Sequence, residues 1–161
     1  MVKVLIAFSS SSGNTEKLAK AVALGVTDAG GEPLLKRAGE VTTDDLVAAD
    51  AIILGSPVYF GTLSAEVKGL IDRSVTVRRK LKDKVGAAFV TSGHDTGGKE
   101  TTIISIHLAF LIHEMVVVGD PIEAGGHFGA ACRGTPTEKD EKCGALLGER
   151  VVKIAGKLKA E

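Results

Sequence analysis

The sequence has no tryptophan, one tyrosine and only two cysteines among 161 residues. Cys132 and Cys143 stand in no C-x-x-C arrangement, which argues against a zinc or redox-dithiol site and fits spare thiols in a cytoplasmic protein. Charge of one sign is also lacking. Lys plus Arg number 20 and Asp plus Glu number 20, so the basic excess of a nucleic-acid binder is missing. No apolar run reaches the length of a membrane span. The apolar start, Met1–Phe8, gives way at once to the polar Ser9–Asn14 without a basic flank, so no signal peptide and no membrane insertion are expected. What is abundant is glycine, 20 residues, against a usual share of about 7%. Tight turns and close backbone approach are therefore a theme.

Four apolar runs, Val2–Phe8, Ala51–Gly55, Val85–Thr91 and Met115–Val118, are rich in β-branched residues and bounded by turn formers. None alternates cleanly, as expected of strands buried on both faces of a parallel sheet. Pro33–Lys36 reads as an edge strand. Helical stripes lie between the runs: Asn14–Asp28, ending at Gly30–Gly31; a stripe through Leu63, Val67, Leu70 and Ile71; Gly98 to about Glu114; and Leu146–Leu158. Asp44–Ala49 adds a short turn. The alternation predicts an α/β fold, a single domain over residues 1–161. The expected architecture is a three-layer sandwich with a five-stranded parallel sheet in the flavodoxin-like order 2-1-3-4-5 and helices on both faces. The stretch Asp120–Asp140 reads as one long, Gly- and Pro-rich connection.

In such a sheet, ligands bind beyond the carboxyl ends of the strands near the switch in strand order. The first loop there is Ser9-Ser10-Ser11-Ser12-Gly13-Asn14-Thr15, running into a helix whose N-terminus favours an anion. It has no GK[ST] ending, so it suits a single terminal phosphate; a plain polar helix start gives the same letters. The second loop, Gly55-Ser56-Pro57-Val58-Tyr59-Phe60-Gly61-Thr62, carries two aromatics where a turn should be polar, as expected if a flat ring is to be covered. A loop folded over the core is the alternative. The third, Thr91-Ser92-Gly93-His94-Asp95-Thr96-Gly97-Gly98, is small and rich in N–H groups, suited to the polar edge of a heterocycle.

SSSGNT resembles the flavodoxin phosphate signature through Ser10, Ser12, Gly13, Asn14 and Thr15. GSPVYFGTLSAEVKGLIDR, TSGHDTGGKETTIISI and GGHFGA are similar to segments of WrbA-type NAD(P)H:quinone oxidoreductases, a flavodoxin-like branch that binds FMN. The likeness spans Val2 to about Ala130. It implies that Ser10, Ser11, Ser12, Gly13, Asn14 and Thr15 hold the FMN phosphate. It further implies that Pro57, Val58, Tyr59, Phe60 and Gly61 line the isoalloxazine, and that Thr91, Ser92, Gly93, His94, Asp95, Gly97 and Gly98 meet its pyrimidine side. Two segments present in that family are short here, and its paired histidines before the last strand are replaced by Ile112-His113.

Charges near the loops are mixed, which leans toward two-electron hydride chemistry over one-electron transfer. The expected function is hydride transfer from NAD(P)H through FMN to a quinone-like acceptor. In this reading Tyr59, His127 and Phe128 border the acceptor, and His127 is the candidate proton donor. A homo-oligomer, dimer or tetramer, is expected. The alternatives are an electron-transfer flavodoxin that docks a redox protein partner, and a flavin-free assembly domain. No bound metal is expected.

Overall fold

The computed structural model describes residues 1–160. It begins with β1 (Lys3–Phe8), α1 (Asn14–Asp28), β2 (Glu32–Arg37), α2 (Thr43–Ala48) and β3 (Ala51–Tyr59), followed by the short β4 (Thr62–Leu63). It continues with α3 (Ala65–Arg73), β5 (Val85–Ser92), α4 (Lys99–Ile112), β6 (Val116–Val117), β7 (Ala130–Arg133) and α5 (Glu138–Lys159). The parallel path is β2-β1-β3-β5-β6, with β7 also on β5 and β4 turned back antiparallel on β3.

The continuous apolar runs are explained by a core on each side. Val4, Ile6, Phe8, Ile53, Ala87 and Phe89 pack toward α1 and α5, while Leu5, Ala7, Ile52, Leu54, Ala88 and Val90 pack toward α2, α3 and α4. Successive residues serve opposite layers, so no position is left polar. The edge strand β2 is only half-buried. Helix α1 stops in a Schellman motif: Gly31 N–H donates to the Val26 carbonyl and Gly30 N–H to that of Thr27, with Gly30 at φ 78°.

The fifth strand is not continuous. β6 pairs with Val85–Gly86 and β7 with Phe89–Ser92, so what read as one long connection contains a strand. The segment between them folds on the buried Asp120, whose carboxylate accepts from the N–H groups of Gly126 (3.1 Å) and His127 (2.9 Å). Close approach requires glycine here, since a Cβ on Gly119 would lie 2.1 Å from the His127 carbonyl oxygen.

Two histidines of α4 and its C-terminus are tied into the fold. His107 Nε2 donates to the Phe128 carbonyl at 2.7 Å. His113 Nε2 lies 2.7 Å from Ser74 Oγ, and because Ser74 gives its hydrogen to the Ile71 carbonyl, the imidazole is the donor. Burial lowers the pKa of both rings from the ordinary 6.5. The unfolded chain therefore binds protons that the folded chain refuses, and stability falls as pH drops through about 6.5 toward the lower folded values. Urea denaturation between pH 8 and pH 5 is expected to show this loss. A His107→Gln/His113→Gln variant should show a flatter profile over that range, and identical slopes would exclude these two groups as its source.

Candidate functional site

The strand order reverses at β1, which sends its neighbours' connections to opposite faces and opens a crevice beyond β1 and β3. Three loops meet there, and each is fixed to the other two. The Tyr59 and Ser11 hydroxyls lie 2.5 Å apart, joining the second loop to the first. The buried Thr15 and Thr91 hydroxyls, 2.8 Å apart, join the first to the third. Thr101 Oγ1 donates to the Gly61 carbonyl at 2.6 Å, and a Cβ on Gly98 would stand 2.7 Å from Gly61 Cα, so the second and third are in backbone contact.

The first loop leaves β1 with Ser9 N–H bonded to the Gly55 carbonyl. Ser10 Oγ then accepts from Gly13 N–H (3.1 Å) and Glu16 N–H (3.3 Å), shaping the turn into α1. The second loop is more ordered than its composition suggested. β3 runs on to Tyr59 and returns through Thr62–Leu63 as a hairpin. Its central pair, Phe60 (φ 50°) and Gly61 (φ 78°), both lie at positive φ, the mark of a type I′ turn. Ser56 Oγ holds its base, accepting from Ser64 N–H and donating to the Pro57 carbonyl. Tyr59 turns toward Ser11, whereas the Phe60 side chain is fully exposed. A bulky residue at positive φ costs about 1–3 kcal/mol and persists where surroundings enforce it, most often at ligand clamps.

The third loop is braced by Ser92 Oγ, which donates to the His94 carbonyl and accepts His94 N–H. His94 Nδ1 accepts from Thr96 N–H. Asp95 meets Arg133 at 3.0 Å and Lys99 at 3.9 Å, so its negative charge beside the loop is offset by two cations.

Helix starts separate the site from the scaffold. α2, α3 and α5 are capped by the side chains of Thr42, Ser64 and Thr137. α1 and α4 begin instead at Gly13 (φ 91°) and Gly98 (φ 112°), which supply no side-chain cap. Ser10 takes the Glu16 N–H of α1, which leaves the Asn14 and Thr15 N–H groups there and the first turn of α4 without a capping side chain, with the positive ends of both dipoles behind them.

The structure does not bring His127 and Phe128 to the three loops. They line a separate cavity of about 340 Å³ with Lys99, Asp120 and Cys143, at the break in the fifth strand. His113 lies at the far end of α4, held by Ser74. Cys132 is buried, its thiol pushed up to about 11 by burial. Among the described residues no three His, Cys, Asp or Glu side chains gather as a metal site, and no helix is long and apolar enough to cross a membrane. Sequence reading missed Arg37. It sits opposite Phe8 in register, donates to the Ser10 carbonyl at 3.0 Å, pairs with Glu16 at 3.0 Å and stacks 5.5 Å from the Phe8 ring centroid. Only the sheet register reveals this cation beside a loop that has none. Thr101 was also missed, since its role needs the hairpin to be known.

The family of NADPH-dependent FMN reductases matches residues 35–129. The chain is 36% identical to an NAD(P)H dehydrogenase (quinone) of Archaeoglobus fulgidus, over 98% of this chain and 100% of that one. That alignment spans 190 positions against 161 residues here, so the relative carries insertions. A shorter match, 53% identical over 83 residues, covers 50% of this chain and 42% of an iron-sulfur flavoprotein of Methanocaldococcus jannaschii. The two cysteines of this chain do not supply the four thiolates that such a cluster needs. Among solved structures, a WrbA-like flavodoxin from Agrobacterium tumefaciens superposes with a TM-score of 0.84 at 28% identity, over 98% of this chain and 99% of that one.

Proposed function

Because the chain belongs to the NADPH-dependent FMN reductase family, we propose that it binds FMN in the three-loop crevice and passes hydride from NAD(P)H to a quinone or similar acceptor. The observation that carries this reading is the pair of glycine-started helices, α1 and α4, opening on one crevice whose loops are mutually bonded. Their free N–H groups, with the hydroxyls of Ser10, Ser11, Ser12 and Thr15, suit a phosphate dianion.

In this assignment Gly13 and Asn14 complete the phosphate turn. Pro57, Val58, Tyr59 and Gly61 border the ring, and Phe60 contributes its backbone. Thr91, Ser92, Gly93, His94, Asp95, Gly97 and Gly98 face the pyrimidine edge, where Lys99 and Arg133 offset Asp95. When bound, the flavin supplies the hydride chemistry. The protein holds and orients it, and leaves the ring face near Tyr59 open for donor and acceptor. No acid or base of the protein is required for hydride transfer, and His127 stands outside the crevice. The family resemblance adds a homo-oligomer and a cytoplasmic location.

The purified chain is expected to take up one FMN per chain and turn yellow, and anaerobic NADPH or NADH should bleach it. Restoration of colour by a soluble quinone completes the test. A chain that stays colourless with excess FMN overturns the proposal. Uptake of FMN without bleaching by either nucleotide leaves the cofactor assignment standing and removes the enzymatic one.

A further inference from the structure

The first loop of the crevice is built from neutral residues, yet an arginine from another strand holds it. In the parallel register Arg37, the last residue of β2, stands beside Phe8, the last residue of β1. Register neighbours share a face of the sheet. The Arg37 side chain therefore follows the Phe8 ring, 5.5 Å from its centroid, toward the start of α1. There its planar fork is used twice: Nη1 donates to the Ser10 carbonyl and Nη2 to Glu16 Oε2, each at 3.0 Å. The other carboxylate oxygen of Glu16 meets Lys20 at 2.9 Å. The guanidinium is thus aimed by a ring and a carboxylate, and its charge is already matched.

The effect of this grip lies one peptide further on. Every described peptide bond is trans, and in a planar trans unit the N–H points opposite to the C=O. Arg37 draws the Ser10 carbonyl toward β2, on the outer side of β1. The Ser11 N–H therefore points away from β2, toward β3 and the crevice. The Ser11 hydroxyl agrees with that direction, since it meets Tyr59 at the end of β3. Among the described residues none accepts from the Ser11 N–H. We propose that Arg37 is the positioning residue of the phosphate seat: its hold on the Ser10 carbonyl aims the Ser11 N–H at the phosphate of FMN, beside the N–H groups of Asn14 and Thr15. Arg37 acts through the loop and does not touch the phosphate. Released, the same peptide is free to turn over. Its carbonyl oxygen would then face the dianion and compete for the uncapped N–H groups of α1. Lysine cannot substitute, because a single ammonium has no planar fork to hold a carbonyl and a carboxylate at once.

This role rests on the FMN reading above, and the experiment separates the two. Arg37→Lys keeps the charge and loses the fork. In fluorescence titrations of the apo-protein it should weaken FMN binding by about tenfold or more, the order of one hydrogen bond to a charged acceptor. Arg37→Gln should lose a similar factor. Riboflavin, which lacks the phosphate, should bind both variants as it binds the wild type, and its uptake also shows that they are folded. A second readout follows the Ser11 amide proton by NMR in isotope-labelled protein. It should move downfield with FMN and not with riboflavin, and Arg37→Lys should abolish that shift. Wild-type FMN affinity in Arg37→Lys, or a Ser11 amide proton indifferent to the phosphate, overturns the proposal and leaves the FMN reading standing. Equal losses of FMN and riboflavin overturn it as well, since they make Arg37 a residue of the scaffold. A wild-type protein that takes up no FMN removes the reading itself, and the role of Arg37 with it.

Discussion

Riboflavin is expected to bind this protein at least a thousandfold more weakly than FMN. The two ligands differ only in the phosphate, so the ratio measures what the first loop contributes. That loop offers the N-terminus of α1, begun at Gly13 with no side-chain cap, and the Ser11 and Ser12 hydroxyls. A hydrogen bond to a charged acceptor contributes about 1.5–3 kcal/mol, and a helix N-terminus adds about 0.3–1 kcal/mol. Three donors and the dipole together exceed the roughly 4 kcal/mol that a thousandfold ratio requires. The guanidinium beside the loop, Arg37, is already matched by Glu16 at 3.0 Å. The selectivity therefore rests on neutral donors, and it should change little between low and moderate salt, unlike that of a site built on free cations. Fluorescence titration of the apo-protein with each ligand at two salt concentrations checks both statements. A ratio below ten would show that the phosphate is not seated at α1.

Much of this site was legible in the sequence because its logic is local. A serine-rich turn running into a helix, with glycine at the entry, suits an anion without reference to any distant residue. The strands were legible for a related reason. Val4 through Phe8 and Ile52 through Leu54 are apolar at every position because each face has its own core, and that pattern is visible in one dimension.

What failed to show was nonlocal. The hairpin tip is Phe60-Gly61, not the Asn-Gly or Asp-Gly pair that announces a type I′ turn, so β3 read as ending at Gly55 when it continues to Tyr59. β7 has only four residues, alternately buried and exposed, and takes its identity from Phe89–Ser92 across the ladder. The first turns of α5 are charged, and its start is fixed by the reciprocal bonds of Thr137 and Asp140. An apolar stripe cannot report such a beginning. His127 and Phe128 followed the same rule in reverse. Placed after a continuous fifth strand they would approach the flavin, but the break in that strand leaves them beside Asp120 and His107.

The second large effect concerns the glycines that let α1 and α5 touch. By intrinsic propensity, alanine stabilises a helix interior by about 1 kcal/mol relative to glycine. Packing reverses that sign at two positions. A Cβ on Gly25 would lie 1.9 Å from the Ala145 carbonyl oxygen, and one on Gly148 would lie 2.3 Å from that of Val22. Both obstacles are backbone, so no side chain can swing aside and the helices must separate. Overpacking of this kind costs about 1–3 kcal/mol and sometimes more. At about 2–4 °C per kcal/mol for a chain of this size, Gly25→Ala and Gly148→Ala should each lower Tm by about 5–10 °C. Gly156, on the same helix α5, meets nothing closer than Val2 Cγ2 at 3.7 Å, and Gly156→Ala should raise Tm by a few degrees. Since either clash is relieved by the same outward shift of α5, the Gly25→Ala/Gly148→Ala pair should lose less than the sum of its parts. Thermal denaturation of the four variants decides the matter. If Gly25→Ala and Gly148→Ala are as stabilising as Gly156→Ala, the two helices do not approach as closely as the structure places them.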